Sequence, residues 1–256
     1  MRRREFITLL CSAAVWPLIA RAQQPKQTRR IGILIPYADS DVDAYARLTA
    51  FRKEIQQSGW IESRNVRIDI RWAPDLETIE RFSKELVALA PDVIVVQSNP
   101  GVVALRQINH TIPVVFVQVG DPVGSGFVNS LSRPGGNLTG FTASEPTIGG
   151  KWLELLKEIA PGIRKIVVIF DPTIAANVAY LRAAEAVGSI QNVTISAAEV
   201  RDAASIERAV AAFANEKDVG LIVLPNPITG NHRELVAELA NAPPTSLDWR
   251  VSLPRN

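Results

Sequence analysis

Nine positions carry residue types that can hold a small polar molecule: Ala38, Ser40, Ser98, Asn99, Asp121, Thr142, Ser144, Asn177 and Asn226. All stand just beyond apolar runs that read as strands. Hydroxyls and carboxamides both donate and accept hydrogen bonds, and Asp121 adds one negative charge. Such groups can orient a ligand, but without a neighbouring base they are poor nucleophiles. Histidine, the usual base, occurs only at His110 and His232. His110 precedes a strand at its amino end, and His232 falls in the last helix with no second ligand nearby. No Ser/His/Asp set and no metal-ligand spacing is visible, so the chain reads as a binder and not an enzyme.

Two of the candidates have competing roles. Asp121 precedes Pro122 and can cap a turn as readily as it can meet a ligand. Ser98 and Asn99 stand before Pro100 and Gly101 at a helix start. There they either cap the helix or help its N-terminus to bind a carboxylate.

The segment "GDPVGSGFVNSLSRPGGNLTGF" holds five glycines between Gly124 and Gly140, which raises the question of a phosphate loop. A dinucleotide fingerprint needs G-x-G-x-x-G after the first strand. Gly124-Ser125-Gly126 follows a later strand, and position 129 is Asn. No Walker-type motif occurs, so no cofactor is expected. Pro134-Gly135-Gly136 supplies a tight reversal instead.

The elements that position these residues alternate along the chain. "RIGILIPY", "PDVIVVQS" and "IPVVFVQV" are short continuous apolar runs, and "DVDAYARLTAFRKEIQQSG" and "DLETIERFSKELVALA" have helical periodicity. A second round follows with "GGKWLELLKEIAPG", "RKIVVIFD", "AANVAYLRAAEAVGS", "DAASIERAVAAFANE" and "VGLIVLPN". Continuous Val/Ile-rich strands between helices predict an α/β fold with parallel sheets covered on both faces. In such sheets ligands bind beyond the carboxyl ends of the strands, which is where the nine positions lie. Trp152 is expected to pack in the core.

The first residues, "MRRREFITLLCSAAVWPLIARAQQ", are an address. A basic start, an apolar stretch from Phe6 to Ala20 and small residues around Arg21 make an export signal over residues 1–22. Arg3-Arg4-Glu5-Phe6-Ile7 fits the twin-arginine pattern, with a general secretory signal as the alternative. Removing residues 1–22 takes away four arginines and one glutamate, so the formal charge of +2 becomes −1. A near-neutral body argues against nucleic acid as a partner. Cys11, the single cysteine, lies inside the signal, so no disulfide framework is expected. The expected destination is the periplasm.

The chain also resembles a family. "FRKEIQQSGWIESRNVRIDIRWA", "IPVVFVQVGDPVGSGFVNSLSRPGGNLTGF" and "GGKWLELLKEIAP", with the amino-terminal signal, are similar to exported substrate-binding proteins of ABC-type uptake systems. The group is related to tryptophan/tyrosine-type binding proteins and is common in rhizobia. The resemblance implies a type I periplasmic binding fold, with two Rossmann-like lobes closing on a ligand. It implies a small-molecule ligand (an amino acid or aromatic compound) in the cleft, an ABC transporter permease as partner, and a monomer. An exported α/β enzyme and a binding module for a sensor are the alternatives.

The resulting division is 1–22 signal, 23–143 N-terminal lobe, 144–240 C-terminal lobe and 241–256 aperiodic tail. The family continues beyond this length. The second lobe is therefore expected to be incomplete, with strand 219–224 left as an unpaired apolar edge.

Overall fold

Arg29–Ile35 (β1), Val93–Gln97 (β3) and Val114–Gly120 (β4) form the middle of the first sheet, and their hydrophobic runs explain why. In β1 the last four residues are all buried, as expected for a strand covered on both faces. The structure is a computed structural model and describes residues 28–214, 216–241 and 251–252. The export-signal reading falls outside the described residues.

Val66–Trp72 (β2) and Leu138–Ser144 (β5) flank the middle strands, giving five strands in the order β2-β1-β3-β4-β5. Every pairing is parallel. Three helices connect these strands: Val42–Gln57 (α1), Leu76–Ala88 (α2) and Asn99–Ile108 (α3). Helix α2 buries Ile79, Ser83 and Leu86, spaced four and then three residues apart, so one stripe faces the sheet. With Val102 and Leu105 of α3 that stripe covers Leu34, Ile94, Val96 and Phe116. Helix α1 covers the opposite face, where Ala44 and Leu48 meet Ile33 and Ile35. Asp75 begins α2 with a reciprocal capping box to Thr78, satisfying two otherwise orphaned N–H groups.

The second sheet has Lys165–Phe170 (β6) and Val219–Val223 (β8) at its centre and Thr194–Glu199 (β7) at one edge. Helices Ile148–Ile159 (α4) and Ala175–Ile190 (α5) pack on one face. Helices Ala203–Ala211 (α6) and Arg233–Asn241 (α8) pack on the other. Between β8 and α8 lies the short helix Pro227–Asn231 (α7).

Two expectations about the end of the chain need correction. Strand β8 is not left unpaired, because Val251–Ser252 (β9) pairs in parallel with Leu221 and Ile222. The sheet order is β7-β6-β8-β9, so the second sheet is smaller than the first. A two-residue strand in a Pro-rich stretch carries no periodicity that a sequence reading could detect. His232, expected within the last helix, also lies outside it. Asn226 caps a separate turn through Thr229 N, and His232 closes it, so His232 sits between α7 and α8 and not within the last helix.

The glycine-rich segment is structural. Gly135 has φ +83° and a side chain there would meet Asn129, while Asn129 N bonds to Pro134 O at 3.0 Å. Gly140 crosses Phe116 so closely that a Cβ would lie 2.0 Å from its carbonyl oxygen. The β4–β5 register shifts on both sides of Val119. Gln118 and Asp121 there take positive φ values of 52° and 41°, as at a bulge that re-aims side chains at a strand end.

Candidate functional site

The carboxyl ends of both sheets face each other across a cavity of about 140 Å³. On the first sheet the chain leaves β3 at Ser98, whose φ of 70° and ψ of 161° break the strand before α3 starts. Positive φ in a non-glycine residue costs energy and clusters at functional sites. Ser98 occupies the N-cap position but makes no capping bond. Its residue is 8% exposed, and its Oγ is buried without a hydrogen-bond partner. Asn99 does the fixing. Its Nδ2 donates to Gly120 O at 2.8 Å and its Oδ1 accepts from Gly120 N at 2.9 Å. This two-point clamp ties the start of α3 to the end of β4.

The second sheet presents a matching amide network. Asn177, 1% exposed, accepts from Asp171 N at 3.0 Å and donates to Pro225 O at 3.1 Å. Asn226 Nδ2 donates to Asn177 Oδ1 at 3.2 Å and to Leu224 O at 3.1 Å. Asn226 Oδ1 accepts from Thr229 N at 2.9 Å. These side chains are held in place by backbone, so the wall is rigid before any ligand arrives.

Bridges between the halves complete the site. Ser144 Oγ and Tyr180 Oη are 2.6 Å apart, and Trp152 packs edge-on to Tyr180 with ring centroids 5.7 Å apart. Burial pushes the Tyr180 phenol above its ordinary pKa, against the opposing pull of the Ser144 hydrogen bond. Tyr180 also sets the identity of Gly120, where an added Cβ would lie 2.1 Å from the phenol oxygen. Asn231 Nδ2 donates to Pro36 O at 3.2 Å and to Pro74 O at 3.0 Å. Arg233 Nη1 donates to Asp41 Oδ2, and Asp41 Oδ1 accepts from Ala44 N at 2.7 Å. The opening holds Arg47, whose guanidinium lies 5.6 Å from the Tyr37 ring centroid. Burial raises the Tyr37 pKa, partly offset by Arg47.

Of the nine positions singled out from sequence, Ser98, Asn99, Ser144, Asn177 and Asn226 line this cavity. The other four lie outside its lining. Asp121 accepts from Gly124 N at 2.9 Å and so serves the turn. Thr142 Oγ1 donates to Val119 O at 3.1 Å, turned back onto its own sheet. Ala38 accepts from Asp41 N through its carbonyl at 3.0 Å, and Ser40 is exposed on the same loop. Sequence reasoning missed Arg47, Gln118 and Tyr180, all of which contribute to the lining. Tyr37 could have been found, because it lies two residues beyond the end of β1. Arg47 gave no signal, since an arginine inside an amphipathic helix looks like any solvated one. Trp152 packs against the second core as expected.

Chemically the site offers hydroxyls, carboxamides, phenols and one guanidinium. Among the described residues no nucleophile meets a base in it. His110 is exposed and His232 is half-buried beside α7, and neither lines the cavity. Among the described residues no group of three His, Cys, Asp or Glu side chains could hold a metal. No described helix is long and apolar enough to cross a membrane.

Comparison with known proteins agrees with this geometry. The chain is 25% identical over 217 residues to a tyrosine-binding protein of Clostridioides difficile, covering 84% of this chain and 61% of that protein. It thus spans less than two thirds of that relative's length. A conserved domain protein from Vibrio cholerae superposes with TM-score 0.75 at 25% identity, covering 84% of this chain and 71% of the other. An ABC domain from Streptococcus pneumonia in complex with L-Trp superposes with TM-score 0.74 at 21% identity, covering 89% and 75%. The fold is accordingly that of type I periplasmic binding proteins, with parallel sheets in two lobes. The family model for ABC transporter substrate binding proteins matches residues 40–243, and the chain belongs to that family.

Proposed function

We propose that this chain is an exported receptor that captures a small polar or aromatic metabolite between its lobes and delivers it to the permease of an ABC-type importer. The lobes are assigned as residues 23–143 and 144–240, following a signal at 1–22. The working form is a periplasmic monomer that leaves its ligand chemically unchanged.

One observation carries this reading. The cavity takes its walls from both halves of the molecule, Ser98 and Asn99 on one side and Asn177 and Asn226 on the other. Three of these four are locked by backbone hydrogen bonds, which suits a preorganised binding surface. The chemistry suits binding as well, because carboxamides held this way cannot serve as general bases. Relatives whose descriptions include tyrosine and L-Trp support a small metabolite as cargo. We assign ligand contact to Ser98, Asn99, Ser144, Asn177 and Asn226.

The reading is tested by a thermal-shift screen of residues 23–256 against amino acids, aromatic acids and other small metabolites. Each binder is then recovered from the protein and identified by mass spectrometry. At least one compound should stabilise the protein and be recovered intact. Turnover of a bound compound that is abolished by Asn177→Ala would overturn the receptor assignment.

A further inference from the structure

Resting on the receptor reading, we infer that the interlobe cleft has a second, apolar subsite. Its ligand is then an elongated molecule, with a polar head in the cavity and an unbranched apolar tail in the groove beside it.

The groove has a volume of about 270 Å³, against about 140 Å³ for the cavity. Rows from two helices form much of its wall. Pro100, Val103 and Gln107 follow one another along α3, and Leu76 and Glu80 along α2. Their spacings of three and four residues put each row on one helix face. Phe127 joins them from the glycine-rich segment. That segment is fixed to α3 by Arg106 Nη1, which donates to Gly126 O at 2.5 Å, and Phe127 N donates to Pro122 O at 2.9 Å. The turn that Asp121 caps thus places an aromatic ring at the groove.

Two features tie the groove to the cavity and to an apolar occupant. Asn99, Pro100 and Ile174 line both spaces. The first two belong to one lobe and Ile174 to the other, so the partition between the spaces is made by both lobes. It parts when the lobes separate and forms again when they close on a molecule laid along the cleft. The groove's own side chains include Leu76 and Val103, which are 55% and 43% exposed. Covering them removes apolar surface from water. Glu80 and Gln107, both exposed, border the same groove, and apolar patches edged by polar residues mark ligand grooves. A polar cavity continued by an apolar groove matches an amphiphile better than a compact polar metabolite.

Chain-length series test the subsite without assuming the head group. Unbranched carboxylates, primary amides and 2-amino acids, each from about three to about ten carbons, are titrated by calorimetry into residues 23–256. In any series that binds, each added methylene should tighten binding by about threefold until the groove is filled, the gain from burying one CH₂. Leu76→Glu and Val103→Glu place a charge in the groove from exposed helix positions. Each should weaken the longest binder by about fivefold or more and leave the shortest unchanged. Ile190→Glu alters a side chain 80% exposed at the carboxyl end of α5 and should change neither. Circular dichroism confirms that the three variants are folded.

Affinity that stays flat or falls with chain length overturns the subsite and leaves the receptor reading standing. So does unchanged long-chain affinity in both groove variants, or an Ile190→Glu variant as impaired as Leu76→Glu. A metabolite screen with binders, none of them from the three series, has the same consequence. A broad screen without a single binder contradicts the receptor reading, and the subsite falls with it.

Discussion

Breaking the bridge between Arg233 and Asp41 should open the cleft. Among the described residues the backbone passes between the two sheets once, from β5 to α4, and side-chain bridges such as this one join the two halves beside the cavity. The Asp41 side chain is 6% exposed and that of Arg233 is 42% exposed. A hydrogen bond to a charged group contributes about 1.5–3 kcal/mol when well buried, and an exposed ion pair about 0–1 kcal/mol. With one partner in solvent, about 1–2 kcal/mol is the appropriate range for this bridge. Arg233→Ala should therefore lower the ratio of closed to open molecules by roughly 5- to 30-fold. Asp41→Asn is the matching change, because asparagine still accepts from Ala44 N and preserves the cap. Spin labels on Glu77→Cys and Glu185→Cys, both exposed positions on opposite lobes, report the separation by pulsed electron resonance. The double variant should cost no more than either single one.

The pH dependence of this bridge has a definite sign. Burial alone would raise the Asp41 pKa, but hydrogen bonds from Arg233 and Ala44 N more than offset it and leave the carboxyl below its ordinary value. A depressed pKa contributes stability above the unfolded value, about 4 for Asp, and loses it as pH falls through the folded value. The cleft should therefore loosen below about pH 4 and stay constant between about pH 5 and 8. Unchanged label distances in Arg233→Ala, or additive effects of the two single variants, would refute this account of closure.

Further outcomes follow from individual residues. Gly120→Ala drives a Cβ against the buried Tyr180 phenol, so denaturant unfolding should show a loss of about 1–3 kcal/mol; an unchanged midpoint would mean that Tyr180 is free to move. Ser98→Ala removes a hydroxyl that bonds to nothing in the unliganded chain, so melting should be nearly unchanged while ligand affinity falls by about 1 kcal/mol. The reverse pattern would mark Ser98 as structural. Replacing Arg3-Arg4 with Lys-Lys should leave the precursor in the cytoplasm, whereas normal export measured by fractionation would indicate the general secretory route.

The parts of this fold legible from sequence are those set by local physics. Strand β6 reads as a strand because "IVVIF" after Lys165 is apolar throughout, and α2 reads as a helix because Asp75 caps a periodic stripe. The edge that carries the cavity was also legible, since topology puts strand ends there whatever the residues are. What sequence could not resolve is which polar groups are already occupied. Asp121 and Ser98 look alike as strand-end residues, yet one is spent on a turn and the other is unpartnered. The difference lies in backbone angles and long-range contacts that no local pattern encodes. Arg47 and Tyr180 reach the cavity from the sides of helices whose orientation depends on the packed core. Strand β9 was invisible for a related reason. Its two residues gain their partner only through the tertiary fold.

The central claim, that a small ligand is held unchanged between the lobes, is tested most directly by a crystal structure of residues 23–256 with the best ligand from the screen. The account predicts one intact molecule in the cavity bounded by Ser98, Asn177 and Tyr180. A ligand bound outside the interlobe cavity, or found there as a reaction product, would contradict it.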